Sequence, residues 1–506
     1  MPYFLPSELA KWCGGKWEMG EPESIDGVSN DTRSLERGNL YFALKGPNFD
    51  GHDYIDDAVM KGACGSVVAT EWFRASGSRV QGSGRGSASG NPPSTGLSRK
   101  SGLRQARSQA GLAVPLLVVD DPAKALRDVA AEYRKKVNPL VVAVTGSFGK
   151  STVKEITADM LSAIGVTART RMNWNNNIGV PLSILAMERD SRFGVFEAGI
   201  NHPGELGPLC EILKPSVGVV TGIGPVHIGF FDSIKAIAEE KVVLLRALGN
   251  DCIAILNIDD KFYGLLRTAC SCRVITVSMK PARNAGSGAI SGAGRPEADY
   301  LCVSRDSAGG EVRVREKGTG DEFMYIKRFP GEYNILNAMF AIAVARGQGV
   351  EWGEIKKVLN NFNPLPMRWQ EEEIKGVIVI NDAYNANPVS MRSAVEAFIE
   401  KKVTGKKWLV LGGMLELGNM EKDFHTALGE YIAHSNLDCV IVIGLLGKLI
   451  ADGCIRSGSG LKRVIFCENN NEAAGLIEKE AKKGDAVLLK ASRAIHLEEI
   501  VVHLKR

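Results

Sequence analysis

Short apolar runs alternate with amphipathic stretches along most of the chain. The run Leu140–Val144 is followed, after a glycine-rich turn, by a helical pattern over Val153–Ile164. This alternation is typical of buried β-strands that are each followed by an α-helix, and it predicts an α/β protein with mostly parallel sheets. Further strands are predicted at Gly194–Glu197, Val217–Thr221, Cys252–Leu256, Val274–Val277, Val377–Ile380, Trp408–Leu411, Val440–Ile443 and Ala486–Leu489.

Two segments interrupt this alternation. From about Ala75 to Gln109 the chain consists largely of serine, glycine and arginine, and Asn284–Gly294 is a shorter segment of glycine, alanine and serine. Because it has little apolar surface to bury, the longer segment is predicted to be a disordered loop. The shorter one is predicted to be a surface excursion, and neither is expected to hold the active site. Contact with anionic lipid or RNA is the alternative for the longer, basic segment.

The length of 506 residues exceeds what one hydrophobic core usually organises, so we predict three domains. Their predicted bounds are 1–138, 139–362 and 363–506, and the last boundary lies in the proline-containing stretch Asn361–Pro366. The sequence shows neither a long apolar run nor a signal-peptide pattern, and its ten cysteines are scattered. We therefore expect a cytoplasmic protein with reduced thiols and no membrane insertion.

The formal net charge of +4 has a local origin. Seven lysines and arginines lie between Arg74 and Arg107 with no acidic residue among them, and the charge of +4 without these seven becomes −3 for the remainder. Nucleic-acid binding by the folded part, which needs a basic face, is therefore not expected.

The strongest chemical signal is the segment Thr145–Thr152, which lies directly between a predicted strand and a predicted helix. Its glycines let the backbone approach phosphate groups, the start of the helix adds positive potential, Lys150 adds a charge and Ser151 can bind Mg²⁺. Val144 stands where the common longer motif has its first glycine, so this loop is a shorter variant. The predicted nucleotide-binding residues are Gly146, Ser147, Phe148, Gly149, Lys150, Ser151 and Thr152.

Two further candidates follow predicted strands. Glu197 ends the strand Gly194–Glu197, and His227 comes shortly after Val217–Thr221. Each of them alone could be a capping or structural residue. Because the carboxyl ends of parallel strands form the ligand-binding edge of an open sheet, their shared position with the phosphate loop favours a site for Mg²⁺ and ATP.

The order and spacing of these motifs resemble the Mur ligase family. The resemblance includes the phosphate loop, Asn173–Pro181, the Glu197 strand and the His227 turn, and it extends from Ser29 to Val502. It implies an amino-terminal domain that binds a UDP-linked precursor, a central P-loop ATPase domain and a carboxy-terminal Rossmann-like domain. We expect a monomer.

The resemblance also implies roles for single residues. Lys241 matches a lysine that is carbamylated in this family and helps to hold magnesium, although an exposed helix lysine is the alternative. Asn337 would contact adenine, Asp382 would contact ribose unless it caps a helix, and Arg368 would stabilise charge during phosphoryl transfer. The implied catalytic residues are Lys150, Glu197, His227, Lys241 and Arg368, and the implied metal ligands are Ser151, Glu197, His227 and carbamylated Lys241.

The substrate is suggested by motifs near both ends of the chain. Ser29–Leu35, Leu40–Gly46 and Phe49–Asp53 are similar to a UDP-binding domain, whereas Asp382–Pro388 and Leu411–Gly418 resemble the family member that adds D-alanyl-D-alanine to UDP-N-acetylmuramoyl-tripeptide. The Asp-Asn-Pro-Arg motif of the diaminopimelate-adding member does not occur. The implied substrate residues are Asp31, Thr32, Arg33, Lys45, Asn175, Asn176, Tyr384, Asn385 and Asn387.

One position departs from the family pattern. Ala491 stands in Lys490–Arg493 where glycine is usual, so an altered loop geometry is possible there.

The implied reaction is ATP-dependent amide formation. A carboxylate and an amine do not condense in water at neutral pH, so the tripeptide carboxylate would first form an acyl phosphate, which the dipeptide amine would then attack. An ATP site built from two domains also predicts closure of the carboxy-terminal domain over the central one. The alternatives are another Mur-type ligase, a ligase like folylpolyglutamate synthase and a nucleotide-binding scaffold without activity.

Overall fold

The computed structural model describes residues 2–81, 114–281, 296–305, 310–328, 330–458 and 461–506. The chain forms two compact units. The first comprises Met1–Val141, Gly165–Phe196 and Pro208–Lys214, and the second comprises Val142–Ile164, Glu197–Gly207 and Pro215–Arg506. The three predicted domain bounds stay a prediction.

Strands and helices alternate through most of the described chain. The strands are β1 (Lys16–Glu18), β2 (Val28–Ser29), β3 (Leu40–Phe42), β4 (Gly65–Ala69), β5 (Leu116–Val119), β6 (Leu140–Thr145), β7 (Thr167–Arg169), β8 (Phe193–Glu197), β9 (Val217–Val220), β10 (Ile253–Asn257), β11 (Arg273–Ser278), β12 (Tyr300–Arg305), β13 (Glu311–Glu316), β14 (Glu322–Ile326), β15 (Gln370–Ile374), β16 (Val377–Asn381), β17 (Lys407–Leu411), β18 (Cys439–Ile443), β19 (Val464–Cys467) and β20 (Ala486–Lys490). The helices are α1 (Pro6–Cys13), α2 (Ile55–Met60), α3 (Thr70–Gln81), α4 (Pro122–Val137), α5 (Lys150–Leu161), α6 (Gly179–Leu185), α7 (Leu206–Leu213), α8 (Ile234–Arg246), α9 (Tyr263–Thr268), α10 (Glu332–Gly347), α11 (Trp352–Asn361), α12 (Pro388–Glu400), α13 (Glu421–Ala433), α14 (Gly444–Arg456), α15 (Asn470–Glu480) and α16 (Glu498–Leu504).

The first unit contains a five-stranded sheet in the order β1-β5-β4-β3-β2. Only β1 runs antiparallel to its neighbour in this sheet. Helix α4 packs against α1 and α6, and the buried Tyr133 hydroxyl on α4 donates a hydrogen bond of 2.7 Å to the Met187 carbonyl. This buried bond fixes α4 against the chain that follows α6.

The second unit contains seven consecutive strands in the order β14-β13-β12-β11-β10-β9-β6. The strands from β6 to β12 pair in parallel, whereas β12, β13 and β14 pair antiparallel. Helix α10 packs against α5, and most of its side chains are buried. Because the phosphate loop joins β6 to α5, this packing fixes the start of α5 against α10.

The same unit contains a six-stranded sheet in the order β15-β16-β20-β17-β18-β19, in which only β15 is antiparallel. Apolar side chains of α12, α13 and α14 pack on one face, and those of α15 and α16 pack on the other. This is a doubly wound α/β arrangement, in which the carboxyl ends of the central strands form the ligand-binding edge.

The structure confirms the predicted α/β class and the strands predicted from apolar runs, whose ends shift by at most one residue. The antiparallel strands β13 and β14 were not predicted. The helix predicted at Val153–Ile164 begins earlier, at Lys150. All ten cysteines are free, and none of the described helices is long and apolar enough to span a bilayer.

The prediction of a loop from about Ala75 is wrong at its beginning. Helix α3 extends from Thr70 to Gln81, and Trp72 and Phe73 in its first turns pack against the core of the first unit. This anchoring favours continuation of the helix into the polar sequence that follows. The remainder of that predicted loop, and the predicted loop Asn284–Gly294, lie outside the described residues.

Candidate active site

The phosphate loop between β6 and α5 depends on two glycines. Gly146 has a φ of +146° and Gly149 a φ of +79°, a backbone range that other residues rarely adopt. A Cβ atom at Gly146 would lie 2.0 Å from Thr221 Oγ1, and one at Gly149 would lie 2.3 Å from Asn337 Oδ1. Both positions therefore exclude any side chain, and the buried Asn337 on α10 lies directly against the loop.

Ser147 and Phe148 attach the loop to the turn that follows β9. The Ser147 hydroxyl donates to the Gly224 carbonyl at 3.0 Å and accepts from the Gly224 N–H at 2.9 Å. The Thr221 hydroxyl donates to the Phe148 carbonyl, and the Phe148 ring would lie 2.6 Å from a Cβ at Gly222. Sequence reasoning did not find this bracing by Thr221. Thr152, the last residue of the predicted loop, is buried in the first turn of α5.

Polar side chains from distant parts of the chain meet at the start of α5. The Ser151 hydroxyl donates to Glu197 Oε2 at 2.8 Å, and Arg368 Nη2 donates to Ser151 Oγ at 3.1 Å. Lys150 Nζ donates to the Gly146 carbonyl at 2.9 Å. Burial lowers the pKa of Lys150, while the nearby Glu197 carboxylate acts in the opposite direction. The structure thus brings together four of the residues predicted from the sequence.

His227 and Lys241 lie beside this cluster. They line a cleft together with Gly146, Ser147, Lys150, Ile200, Val226, Phe231 and Ile237. Burial and the charge of Lys150 lower the pKa of Lys241 on α8 to about 7. Burial also holds the pKa of His227 below its ordinary value, although the Glu416 carboxylate contacts its Nδ1.

Arg368 is held in an unusual backbone segment. Its neighbours Met367 and Trp369 have φ values of +57° and +52°, which non-glycine residues adopt at some cost. The guanidinium carbon lies 4.3 Å from the centre of the Tyr384 ring, and the Tyr384 N–H donates to the Met367 carbonyl at 3.1 Å. Tyr384, predicted to bind substrate, thus also supports Arg368, and its burial raises the pKa of its hydroxyl.

Asp382 follows β16 and has protein partners at both carboxylate oxygens. Oδ1 accepts from the Trp369 N–H at 3.1 Å, and Oδ2 accepts from Lys490 Nζ at 2.7 Å. Sequence reasoning assigned no role to Lys490, which directly follows the predicted strand Ala486–Leu489 and is the last residue of β20. The helix-cap alternative for Asp382 is wrong, because Asn387 caps α12 instead.

Asn385 and Asn387, which were also predicted to bind substrate, have local hydrogen-bond partners. Asn387 forms a reciprocal capping box with Ser390, and Asn385 Oδ1 accepts from the Ala386 N–H at 2.8 Å. Ala491, which replaces the usual glycine, is buried and is absent from the described residues with positive φ. Its backbone is therefore one that alanine adopts without strain.

The remaining predicted substrate residues lie in the first unit. Asp31 forms an ion pair with Arg33 at 2.7 Å, and this partner holds the pKa of Asp31 below its usual range. The Thr32 carbonyl accepts from Lys61 Nζ at 2.6 Å, and Lys45 is exposed. In the segment before α6, the Asn175 N–H donates to the Asn173 carbonyl, and Asn176 Oδ1 accepts from the N–H groups of Ile178 and Gly179.

A phosphate loop at the edge of a mostly parallel sheet, completed by an arginine from the segment that precedes the second mostly parallel sheet, defines a nucleotide-dependent enzyme of the P-loop class. The chain belongs to the Mur ligase family. It matches the Mur ligase middle domain over residues 144–345, the Mur ligase glutamate ligase domain over 367–493 and the Mur ligase family catalytic domain over 24–72. The resemblance inferred from the sequence motifs is thereby confirmed.

Individual relatives cover nearly the whole chain. The UDP-N-acetylmuramoyl-tripeptide–D-alanyl-D-alanine ligase of Bacillus subtilis is 33% identical over 489 residues, which are 96% of this chain and 94% of the relative. The crystal structure of MurF from Acinetobacter baumannii matches with a TM-score of 0.79 and 25% identity over 99% of both chains. MurF from Thermotoga maritima in complex with ADP matches with a TM-score of 0.72 and 25% identity over 95% of this chain and 97% of that one.

Proposed function

We propose that this chain joins D-alanyl-D-alanine to UDP-N-acetylmuramoyl-tripeptide in an ATP-dependent step of peptidoglycan synthesis. The convergence of Arg368, Ser151 and Glu197 at the phosphate loop carries the proposal, because it places one positive group and two oxygen ligands where a γ-phosphate would lie. The likeness to the Bacillus subtilis ligase supports the choice of substrates.

The chemistry requires an activated carboxylate. The terminal carboxylate of the tripeptide attacks the γ-phosphorus of ATP, so that an acyl phosphate and ADP form. The dipeptide amine then attacks the acyl carbon, and phosphate leaves as the amide forms and a proton is released. Lys150 and Arg368 are positioned to stabilise negative charge on the transferred phosphoryl group.

The residues at this place fit a magnesium ion. The Ser151 hydroxyl and the Glu197 carboxylate lie 2.8 Å apart, and such oxygen ligands suit Mg²⁺. Among the described residues, no group of three or more His, Cys, Asp and Glu side chains could hold a metal. The proposed ligands are Ser151, Glu197, His227 and carbamylated Lys241. The ion supplies charge neutralisation on the phosphates when it is bound.

Lys241 is suited to carbamylation. Carbon dioxide reacts with a neutral amine, and a pKa of about 7 leaves much of Lys241 neutral at physiological pH. The carbamate would place a negative group in the cleft that Lys150 and His227 also line.

Nucleotide and precursor contacts complete the proposal. Asn337, which lies against Gly149, would contact adenine, and Asp382 would contact ribose through the remaining acceptor capacity of its carboxylate. The UDP-linked precursor would bind near Asp31, Arg33 and Lys45. We further propose a monomeric, cytoplasmic protein with no nucleic-acid partner.

The decisive experiment measures phosphate release from ATP with the tripeptide precursor, with and without D-alanyl-D-alanine, followed by mass analysis of the product. We expect dipeptide-dependent release and a pentapeptide product. Lys150→Ala should abolish both, whereas Lys235→Ala, at an exposed lysine paired with Glu239, should leave them unchanged. Absence of release with both substrates would instead favour a ligase of the folate type or a scaffold.

A further inference from the structure

Lys490 is a buried cation that the proposed chemistry does not use. Its side chain is 4% exposed, and it lies at the carboxyl end of β20. Strand β20 pairs in parallel with β16, with Asn381 opposite Leu489. The next residues, Asp382 and Lys490, are therefore neighbours at the same sheet edge, and the Asp382 N–H donates to the Leu489 carbonyl at 3.0 Å.

The Lys490 ammonium group has three oxygen partners. Nζ donates to Asp382 Oδ2 at 2.7 Å, to the Asp382 carbonyl at 3.2 Å and to the Asn385 carbonyl at 3.2 Å. These partners account for all three of its N–H donors. Lys490 therefore bonds both ends of the segment 382–385, which contains Tyr384.

Both supports of Arg368 depend on this segment. The Asp382 carboxylate accepts from the Trp369 N–H at 3.1 Å, directly after Arg368 in the chain. The Tyr384 ring lies 4.3 Å from the Arg368 guanidinium carbon. Because Met367 and Trp369 both have positive φ values, external bonds must hold this backbone, and the Asp382 carboxylate supplies one of them.

We propose that Lys490 is a positioning residue for phosphoryl transfer, acting through Asp382 and the segment 382–385 to hold Arg368 against Ser151. This inference rests on the proposed function. A misplacement of about 1 Å at a reacting group can reduce turnover by about 100-fold, so loss of the support should reduce kcat without removing the nucleotide site.

The test is a double-mutant cycle in the full-length chain. We would measure kcat and the KM for ATP in dipeptide-dependent phosphate release by the wild type, Lys490→Met, Arg368→Lys and the double variant. We expect Lys490→Met to lower kcat by about tenfold or more in the wild-type background. In the Arg368→Lys background it should lower kcat by less than about threefold, because the group that it positions is already lost.

A matched control lies in the same sheet. Lys407 begins β17, at the opposite strand end from Lys490, and its Nζ donates to the Ile399 carbonyl. Lys407→Met should leave kcat within about twofold in both backgrounds. If circular dichroism shows that Lys490→Met does not fold, the cycle is repeated with Lys490→Arg, which keeps the charge but cannot place the same three donors.

The outcomes separate this inference from the proposed function. Equal losses of kcat in the two backgrounds, or a change confined to the KM for ATP, would overturn a positioning role for Lys490. A wild-type chain without dipeptide-dependent phosphate release would instead overturn the proposed function, whatever the variants do.

Discussion

Lys241 illustrates at the residue scale how burial sets chemistry. Burial and the charge of Lys150 lower its pKa from an ordinary value of 10.5 to about 7 in the folded protein. Between these two values the unfolded chain binds a proton that the folded chain lacks, so this group makes stability increase as the pH rises from about 7 to about 10.5. Below that window both forms are protonated, and the full cost of the buried charge remains.

Removal of the Lys241 amine should relieve this cost of a buried charge. In bicarbonate-free buffer, Lys241→Met should raise the urea midpoint at pH 7, because it removes a buried amine whose protonation costs a few kcal/mol at about 1.4 kcal/mol per pKa unit. The gain should shrink towards pH 10. Lys235→Met, at an exposed site on the same helix, should show no such trend. A gain that does not depend on pH would contradict the assigned pKa.

At the scale of elements, helix α12 depends on its amino-terminal cap. Asn387 Oδ1 accepts from the Ser390 N–H at 2.9 Å, and Ser390 Oγ accepts from the Asn387 N–H at 3.1 Å. Asn387→Ala should therefore destabilise the protein by about 1 kcal/mol, while Asn387→Asp should retain most of the stability. Denaturant unfolding gives the first quantity, and the KM for D-alanyl-D-alanine tests the substrate contact proposed for the same residue. An unchanged KM in both variants would limit Asn387 to the cap.

Two short turns at the site are packed backbone to backbone. A Cβ at Gly229, in the middle of the turn Ile228–Phe230, would lie 2.9 Å from the nitrogen of Gly418, where the second turn begins. The Gly229 N–H donates to the Glu416 carbonyl at 2.9 Å. Gly229→Ala should thus separate the turns and displace His227 from Glu416.

The expected effect of Gly229→Ala is a loss of turnover of about tenfold or more, measured by phosphate release. Gly475→Ala is the matched control, because no atom lies within 4 Å of a Cβ added there on α15. That variant should keep full activity and gain a few tenths of a kcal/mol in stability. Equal activity of the two variants would show that the turns tolerate separation.

At the scale of the whole molecule, nucleotide binding should stabilise the second unit. Asn337 and Arg368 reach the phosphate loop from separate elements, so a ligand bound there has contacts that exist only in the folded chain. With ADP and magnesium at about 100 times Kd, mass action adds about 2.7 kcal/mol, which thermal unfolding would detect as a higher Tm. Lys150→Ala should lose this shift at the same concentrations. An equal shift in that variant would place the nucleotide elsewhere.

The sequence alone determined much of the architecture and one part of the site. Strands such as β6 and β18 are continuous apolar runs because both faces of a parallel sheet are buried, so composition and length reveal them. The phosphate loop is local in sequence, since its glycines, Lys150 and Ser151 are consecutive and their chemistry follows from residue type. Family resemblance then extended the prediction to Glu197, His227, Lys241 and Arg368.

Tertiary structure decided the partners that these residues have. Asp382 and Lys490 are 108 residues apart, and only the parallel pairing of β16 with β20 makes them an ion pair. Glu416 and His227 are 189 residues apart and meet because the turns beside them pack together. Such contacts between distant elements leave no local pattern in the sequence. The pKa of Lys241 likewise depends on burial beside Lys150, which neither residue's neighbours in the sequence reveal. The strands and the phosphate loop therefore follow from local sequence, whereas the electrostatics of the site depends on packing between residues that are distant in the chain.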